Sequence, residues 1–421
     1  MTTKLKPATL AMILAGGRVD DLNVLTYYRP KSAVPFGGFA RVIDFPLSNL
    51  MHSGLERVAI LSQYRSFSLI NHIGSGAAWD MIGRYRGVSI LPPSKGSGPS
   101  NWYLGTANAV YQNLDFIQYH SPREVLILSG DHVYKMDYRQ IIDYHRAKDA
   151  DLTIAFLQVP REMASRFGMA DVDNEDGERG GRVLHYEEKP NLPRGDWASL
   201  TVYCFRPRIL YEVLEANARD DDSFEVGRDI IPRLMHEGRR IYGYKFRGYW
   251  GYARTIEEYW QTSMDLLGDD PPIRLEEWGI RTNLEHRNIR DCQPLKVGAG
   301  AVISDSLVYN GCVIEGRVER SIIFPGVHIR PGAEVRDSVL FFNTTVGPQC
   351  RLSKVICDVN TVIGGRVEIG GSAAVQDKEA TVVGWNNHIP DGTVIGAGCT
   401  LYPQLPSEQW RTHIADREVI R

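Results

Sequence analysis

Short apolar runs alternate with helically spaced apolar positions from residue 9 to about residue 267. Six runs have the length and composition of β-strands: 9–14, 57–62, 124–130, 151–159, 182–188 and 199–205. Two segments, 106–118 and 138–149, instead space their apolar positions as an amphipathic helix does. This alternation predicts an α/β fold with a largely parallel sheet and helices on both faces. Ligands bind beyond the carboxyl ends of such strands, so the loops after 9–14 and 124–130 are the first places to look for a site.

The pattern changes after the sequence GDDPP at 268–272, and short β segments broken by glycine or asparagine follow from Val297 onward. A six-residue step links Ile323, Ile329, Val335 and Phe341, then Val346 and Leu352, then Ile363 and Ile369. This hexapeptide period predicts a β-helix, in which each turn stacks on the last. A β-sandwich with accidental spacing is the alternative. A β-helix exposes terminal turns and flat faces, which favours a role in assembly or a second ligand site.

These two patterns divide the chain into parts of different architecture. We predict a first domain over residues 1–270, a linker over 271–296, and a β-helix domain with a C-terminal tail over 297–421. A chain of 421 residues, of which 43% are hydrophobic, is long enough for two or three domains with sizeable cores.

Charge and cysteine usage exclude several functional classes. The net charge is −3, with 48 basic and 51 acidic residues spread along the chain, which argues against a nucleic-acid or membrane-surface protein. No apolar run reaches the roughly 18 residues of a membrane span. The N-terminal apolar run leads directly into a glycine loop without a cleavage signature, so we interpret it as a strand rather than a signal peptide. Six cysteines without CxxC spacing predict reduced, mostly buried thiols in a cytoplasmic protein rather than a zinc site.

The first candidate for ligand binding is the loop after the first strand. Gly16 and Gly17 would let backbone N–H groups approach a phosphate closely, and Lys31 follows at a distance suited to returning its ammonium to the same phosphates. The alternatives are an ordinary glycine turn and a solvated surface lysine. The loop also contains Asp20 and Asp21, where a bound triphosphate would favour positive charge.

A second candidate is Asp131, at the end of the strand in LILSGDHVYKMDY. A carboxylate at the carboxyl end of a strand, opposite a glycine loop, is suited to holding Mg²⁺ on a nucleotide. The alternative is an N-cap for the following helix. Asp137 is the better cap candidate, because it directly precedes that helix.

Two further segments carry polar residues at the ends of predicted elements. Glu188 and Lys189 follow a strand and precede a proline, so Lys189 is suited to binding a second phosphate; the alternative is a salt-bridged turn. Gly105 and Thr106 open a predicted helix, whose N-terminus would favour a polar edge of a ligand.

Taken together and in this order, these segments resemble the ADP-glucose pyrophosphorylase (glucose-1-phosphate adenylyltransferase) family over nearly the whole chain. The motifs that carry the resemblance are LAGGR, RPKSAVPFGGFARVIDFPLSN, SQYRSFSLINHI, WYLGTANAVYQN, GDHVYKMDY, YEEKP, VGRDIIP and TIEEYWQTSMDLL. The resemblance implies a Rossmann-like nucleotidyltransferase domain followed by a left-handed β-helix. It also implies the conversion of ATP and glucose 1-phosphate to ADP-glucose and pyrophosphate, with Mg²⁺, in a homo- or hetero-tetramer.

The resemblance further implies roles for individual residues. It assigns nucleotide binding to Gly16, Gly17, Arg18, Gly105 and Thr106; catalysis to Lys31 and Asp131, with Asp131 also a metal ligand; sugar-phosphate binding to Glu188, Lys189 and Ser199; and the coupling of regulation to catalysis to Gln63.

Several family positions are substituted in this chain, among them Arg254, which stands where the family has glycine. Val19 and Asp21 stand where the family has glycine and arginine in the nucleotide loop, and Tyr252 stands where it has the second metal-binding aspartate. Exchanging arginine for aspartate changes the local charge by two units, and one unit pair at about 4 Å is worth roughly 4 kcal/mol near a protein surface. Cationic groups in phosphoryl transfer contribute about 10³ to 10⁵ in rate. A neutral tyrosine is a poor magnesium ligand.

These substitutions leave three hypotheses. The chain is an active pyrophosphorylase in which Arg18 or Lys31 compensates, a weak or silent subunit that pairs with an active homologue, or a sensor that binds a sugar phosphate without turnover. Retained Glu188 and Lys189 agree with the second and third hypotheses. The β-helix agrees best with the second, because in the family that domain mediates assembly.

Overall fold

The computed structural model describes residues 8–17, 20–93, 102–220, 223–251, 253–371 and 379–421. Arg18, Val19 and Tyr252 therefore lie outside the described residues. Within those ranges, the strands before residue 252 are β1 (Thr9–Leu14), β2 (Pro35–Phe36), β3 (Ala40–Arg41), β4 (Arg57–Leu61), β5 (Gly87–Leu91), β6 (Glu124–Ser129), β7 (Val133–Tyr134), β8 (Leu152–Gln158), β9 (Gly168–Val172), β10 (Gly180–Glu188), β11 (Trp197–Phe205), β12 (Ile241–Lys245) and β13 (Trp250–Gly251).

The α-helices of the described residues are α1 (Asp44–His52), α2 (Phe67–Ile73), α3 (Thr106–Tyr111), α4 (Leu114–His120), α5 (Tyr138–Ala147), α6 (Pro207–Asp220), α7 (Ile231–His236), α8 (Ile256–Met264) and α9 (Leu275–Trp278). Shorter 3₁₀ helices span Asp20–Thr26, Lys31–Ala33, Ala77–Trp79, Arg161–Arg166, His286–Asp291 and Ser407–Gln409, and a π-helical turn spans Val226–Ile230. No helix of the described residues is both long enough and apolar enough to cross a membrane.

Nine of these strands form one sheet, in the order β5-β4-β1-β6-β11-β8-β12-β10-β9. Strands β5, β4, β1 and β6 pair in parallel, and so do β8 and β12. Strand β11 runs antiparallel to β6 and β8, and β10 runs antiparallel to β12 and β9. Seven of the nine strands therefore point the same way, which confirms the predicted mostly parallel sheet.

Helices cover both faces of this sheet, as the alternation of elements predicted. Leu10 and Met12 of β1 pack into a core with α3, α4, α6 and α7, whereas Ala11 and Ile13 pack into another with α1, α2 and α5. Successive side chains of a strand point to opposite faces, so both faces of β1 must be apolar. This is why the strand is a continuous apolar run.

The predicted helix over 106–118 is wrong as a single helix, because the structure divides it into α3 and α4. Asn113 separates them with φ −118° and ψ 24°, and its side-chain amide donates to Ala109 O at 2.8 Å and to Tyr103 Oη at 3.0 Å. Asparagine favours such local bonds over helix continuation. The prediction for the next helix is confirmed: Asp137 caps α5 by accepting from the backbone N of Arg139 at 3.0 Å.

The C-terminal part is a left-handed β-helix of short parallel strands. Its strands are β14 (Lys296–Val297), β15 (Val302–Ser304), β16 (Leu307–Val308), β17 (Val313–Ile314), β18 (Arg317–Glu319), β19 (Ile322–Ile323), β20 (His328–Ile329), β21 (Glu334–Arg336), β22 (Val339–Leu340), β23 (Thr345–Val346), β24 (Arg351–Ser353), β25 (Val355–Cys357), β26 (Val362–Ile363), β27 (Glu368–Ile369), β28 (Thr381–Val383), β29 (His388–Ile389), β30 (Val394–Ile395), β31 (Thr400–Leu401), β32 (His413–Ile414) and β33 (Val419–Ile420).

Every third β-helix strand joins the same sheet up to β31, and β32 and β33 then pair with β30 and β31. The three sheets run β14-β17-β20-β23-β26-β29, β15-β18-β21-β24-β27-β30-β32 and β16-β19-β22-β25-β28-β31-β33. The hexapeptide step predicted the positions that form the β-helix core, with one exception. Leu340, not Phe341, pairs with Ile323 and joins the β-helix core. The coil has 17 rather than 18 residues at this point, because Val335 pairs with Val318.

Phe341 instead belongs to the core between the two parts of the chain. Its ring lies 5.1 Å from that of Phe324 and 6.2 Å from that of Tyr259 in α8, and the same cluster includes Phe36 and Phe45. The β-helix is therefore packed against the first part through an aromatic core. All six cysteines are free thiols, five of them buried, as predicted from their spacing.

Candidate functional site

A cavity of about 540 Å³ opens at the carboxyl ends of β1 and β6. Ten of the residues predicted from the sequence line it: Gly16, Gly17, Lys31, Gln63, Gly105, Thr106, Asp131, Glu188, Lys189 and Ser199. The fold thus brings together every described residue to which the sequence assigned a binding, catalytic or coupling role, apart from the substituted position Asp21. Asp21 is exposed in the 3₁₀ helix Asp20–Thr26 and is not among the residues that line the cavity.

The glycine loop is tied to the end of β4. Ala15 N donates to Leu61 O at 2.9 Å, and Tyr64 N donates to Gly16 O at 3.3 Å. A Cβ at Gly16 would lie 3.1 Å from Gln63 N, a tight contact that would need a shift of a few tenths of an ångström. A Cβ at Gly17 would meet no atom within 4 Å, so it would extend into open space beside the cavity. Packing therefore favours glycine at position 16, whereas Gly17 leaves its backbone accessible to a ligand.

Lys31 and Asp131 form an ion pair in the cavity. Lys31, only 2% exposed, is held in the 3₁₀ helix Lys31–Ala33, and its Nζ lies 3.1 Å from Asp131 Oδ2. Asp131 Oδ1 accepts from the Ser129 hydroxyl and lies 3.4 Å from His132 Nε2. Burial opposes ionisation of this carboxyl, but the charge of Lys31, with the contributions of His132 and Ser129, brings its pKa well below the usual range. Asp131 is therefore ionised at neutral pH.

The fit of a magnesium ion depends on which cavity carboxylates are available. Asp131 offers the hard oxygen donor that Mg²⁺ prefers, and Mg²⁺ commonly binds through one or two carboxylates together with substrate phosphates. The two other carboxylates that line the cavity already accept hydrogen bonds: Glu188 from the Tyr186 hydroxyl and Glu225 from Thr106. In the described residues, no group of three or more His, Cys, Asp or Glu side chains is arranged to hold a metal ion. Asp131 fits Mg²⁺, but as a single protein carboxylate.

The start of α3 is packed against residues 224–226. Glu225 Oε2 accepts from Thr106 N at 3.2 Å and from Thr106 Oγ1 at 2.5 Å, and Thr106 Oγ1 accepts from Val226 N at 2.9 Å. A Cβ at Gly105 would lie 2.3 Å from Phe224 O. A carboxylate of the protein already satisfies the helix N-terminus that the sequence suggested for a ligand. Binding of a nucleotide by Gly105 and Thr106 stays a prediction.

Glu188, Lys189 and Ser199 form the opposite wall of the cavity. Lys189 follows β10 with φ 51°, and its backbone N donates to Phe167 O at 3.0 Å, which turns the chain at the strand end. The pairing of β11 with β8 is irregular between Ser199 and Tyr203, and Thr201 has φ 54° there. Such a bulge re-aims side chains next to a site.

Comparisons with known proteins agree with this architecture. Residues 10–268 match the family model described as nucleotidyl transferase, and residues 295–387 match the model described as GlmU-like, C-terminal hexapeptide. The chain is 40% identical over 396 residues to a glucose-1-phosphate adenylyltransferase of Desulfitobacterium hafniense (strain Y51), covering 93% of this chain and 98% of that one.

The chain belongs to the glucose-1-phosphate adenylyltransferase family.

A second relative, the glucose-1-phosphate adenylyltransferase of Bacillus cytotoxicus, is 42% identical over 359 residues, which cover 85% of this chain and 93% of the relative. Members of this family are nucleotidyltransferases.

Gln63 connects two loops of this adenylyltransferase fold. Its Oε1 accepts from Tyr103 N at 2.7 Å, and its Nε2 donates to Tyr103 O at 3.4 Å. Its backbone lies against Gly16 on the other side. A displacement of the segment at Tyr103 would therefore reach the glycine loop through Gln63. This geometry is compatible with the coupling role that the family resemblance implies, which stays a prediction.

Sequence reasoning missed several residues that line the cavity. They are His132, Arg166, Tyr186, Tyr203, Glu225, Trp250 and Arg254. A signal for Tyr186 was available, because it lies two positions before Glu188 in one strand and so shares its face. Glu225 and Trp250 come from segments far along the chain, and only the tertiary fold brings them to the cavity.

His132 is a neutral member of the cavity wall. Its burial, together with the charges of Lys31 and Arg254, lowers its pKa to about 4, although the charge of Asp131 opposes this shift. His132 is therefore neutral at pH 7.

Proposed function

We propose that this chain is an ADP-glucose pyrophosphorylase subunit with slow turnover of its own. It binds ATP, glucose 1-phosphate and Mg²⁺ in the cytoplasm, and contributes to glycogen biosynthesis within a homo- or hetero-tetramer that includes a competent homologue. The observation that carries the proposal is the composition of the cavity. It keeps Lys31, Asp131, Glu188 and Lys189 together, yet among the described residues it offers only Asp131 beside the glycine loop as a carboxylate for Mg²⁺.

The retained residues support the adenylyl-transfer reaction. A phosphate oxygen of glucose 1-phosphate attacks the α-phosphorus of ATP in line, and the bond to the leaving pyrophosphate breaks. Lys189 neutralises the sugar phosphate, Glu188 accepts a hydrogen bond from a sugar hydroxyl, and the Ser199 hydroxyl can donate to the sugar or accept from it. Lys31, buried at the base of the cavity, stabilises the negative charge that develops on the nucleotide phosphates. Asp131 would hold Mg²⁺, which supplies further charge neutralisation on the phosphates when it is bound.

The substituted positions account for slow turnover. Asp21 replaces a cation of the family loop by an anion, and Tyr252 removes the second carboxylate ligand of Mg²⁺. The first change removes a cation that would stabilise the leaving pyrophosphate, whose charge grows as its bond to the α-phosphorus breaks; Asp21 itself is exposed and does not line the cavity. The second leaves the metal dependent on Asp131, whose oxygens already interact with Lys31 and Ser129.

One observation favours a second candidate, a fully active enzyme with altered ligands. Arg254 lines the cavity, and its charge contributes to the lowered pKa of His132. Arg254 stands where the family has glycine. In this second candidate, its guanidinium stabilises the nucleotide phosphates in place of the missing arginine of the loop.

A pyrophosphate-release assay distinguishes the two candidates. We expect the purified chain alone to release pyrophosphate at least about 10³-fold more slowly than an active homologue, the scale of one missing cationic group. A mixture of the two should yield a stable assembly. Asp21→Arg or Tyr252→Asp alone should help little, because each repairs only one of two linked defects, whereas the double variant should gain more than additively.

The matched control is Glu215→Arg, the same charge reversal at an exposed position of α6. It should leave the rate unchanged. Wild-type turnover comparable to that of the homologue would establish the second candidate. A double variant no faster than either single variant would show that these two positions do not limit the reaction.

A further inference from the structure

The sugar side of the cavity contains a buried tyrosine that contacts Glu188. Tyr186 lies two positions before Glu188 in β10, and the two residues pair across the sheet with Ala170 and Gly168, so their side chains share one face. The Tyr186 hydroxyl lies 3.0 Å from Glu188 Oε2. A carboxylate can only accept, so the phenol donates this hydrogen bond. Tyr186 is 5% exposed, and its burial, with Tyr203 and Glu188 nearby, raises the pKa of the phenol, which therefore keeps its proton.

Two glycines from separate elements make room for this pair. A Cβ at Gly168 in β9 would lie 1.9 Å from Tyr186 Oη and 2.8 Å from Glu188 Oε2. A Cβ at Gly227, in the π-helical turn, would lie 2.2 Å from Glu188 Oε2 and 3.0 Å from Tyr186 Oη. Neither glycine has a positive φ, so space and not backbone conformation requires glycine at both positions. The hydrogen-bonded pair is thus enclosed on two sides by positions that exclude any larger residue.

We propose that Tyr186 is a positioning residue for sugar recognition. Its hydroxyl holds Oε2 of Glu188, which leaves Oε1 as the oxygen that accepts from a sugar hydroxyl; no hydrogen bond within the described part of the chain reaches Oε1. Beside this pair, the Ser199 hydroxyl donates to Tyr203 Oη at 3.5 Å. This inference rests on the proposed function, because it assigns Glu188 to the sugar. It predicts that Tyr186 affects recognition of the sugar and not of the phosphate.

Calorimetry on the full chain tests this inference with two ligands, glucose 1-phosphate and inorganic phosphate. Tyr186→Phe removes one hydroxyl and keeps the ring. We expect it to weaken glucose 1-phosphate binding about 10-fold, the size of one lost hydrogen bond to a charged group. The affinity for inorganic phosphate should stay within about twofold. Gly227→Ala, whose Cβ displaces the same carboxylate oxygen, should reproduce the selective loss.

The matched control is Tyr144→Phe, which removes a buried phenol that donates to Asp176 Oδ2 at 2.6 Å outside the cavity. It should bind both ligands as the wild type does. If the wild type binds glucose 1-phosphate and Tyr186→Phe binds it equally well, the inference is overturned while the proposed function stands. Equal weakening of both ligands would also overturn it, because Tyr186 would then support phosphate binding or the fold. A wild type that does not bind glucose 1-phosphate would overturn the proposed function itself.

Discussion

The buried ion pair between Arg29 and Asp358 joins the first part of the chain to the β-helix. Arg29 Nη2 lies 2.9 and 3.0 Å from the two carboxylate oxygens, and the residues are 6% and 1% exposed. Arg29 also lies two positions before Lys31, so the pair anchors the segment that supplies the cavity lysine. We predict that Asp358→Ala is one of the more destabilising single substitutions in this protein, because it leaves Arg29 buried without its counter-ion.

The magnitude follows from the charges that remain. Removing one partner of a buried ion pair typically costs about 3–5 kcal/mol. Arg41 is also buried, and burial, with the charges of Arg287 and Arg29, lowers its pKa to about 9, whereas Asp358 raises it. Without Asp358, only Asp44 still offsets the repulsion among these buried guanidiniums, so we expect a loss near the upper end, about 4–5 kcal/mol. Replacing both partners by apolar groups, in Arg29→Met with Asp358→Leu, should be close to neutral.

Urea unfolding followed by tryptophan fluorescence measures this loss. With a slope of about 3 kcal/mol per molar, the midpoint of Asp358→Ala should fall by about 1.5 M. The control is Glu368→Ala, which breaks an exposed pair with Arg351 on the same β-helix, at 3.4 Å and with side chains 53% and 72% exposed. It should change stability by less than about 0.5 kcal/mol. The reasoning is refuted if Asp358→Ala behaves like this control, or if the double variant is as unstable as Asp358→Ala.

Three further predictions concern pH, assembly and ligand preference. Burial lowers the pKa of His145 to about 4, so the folded chain holds it neutral; the stability it contributes is complete above about pH 6.5 and is lost as pH falls towards 4. In His145→Gln, the free energy of unfolding should lose up to about 3 kcal/mol less than in the wild type as the pH falls from 7 to 4. A wild-type urea midpoint that stays constant between pH 7 and 4.5 would contradict this. Light scattering should show a tetramer or lower oligomer formed partly through residues from about 290 onward, and a monomer at micromolar concentration would argue against it. In Mg²⁺ buffer, calorimetry should show tighter binding of glucose 1-phosphate than of ATP, because Glu188 and Lys189 are retained while the nucleotide loop carries Asp21; equal or tighter ATP binding would refute this.

Local patterns determined most elements of this protein and the position of its candidate site. Strand β1 is a continuous apolar run because both its faces are buried, and this is visible without any structure. The carboxyl ends of β1 and β6 then predicted where Gly16 and Asp131 would meet, since neighbouring parallel strands end at the same edge of the sheet. The six-residue step predicted the β-helix for the same reason: one buried position per face recurs at a constant spacing.

Only the tertiary structure decided where that regularity ends and which distant residues complete the cavity. Most coils repeat after 17 residues, so a strict six-residue step drifts by one position and assigns Phe341 to the β-helix core, whereas it lies in the core between the two parts. Glu225 reaches Thr106 across 119 positions, and its bond to that residue changes what the start of α3 offers a ligand. The Tyr186 hydroxyl contacts Glu188 because two glycines elsewhere leave the space. Periodicity reports which face of an element is buried, whereas shape and hydrogen-bond partners depend on atoms that are far apart along the chain and become neighbours only on folding.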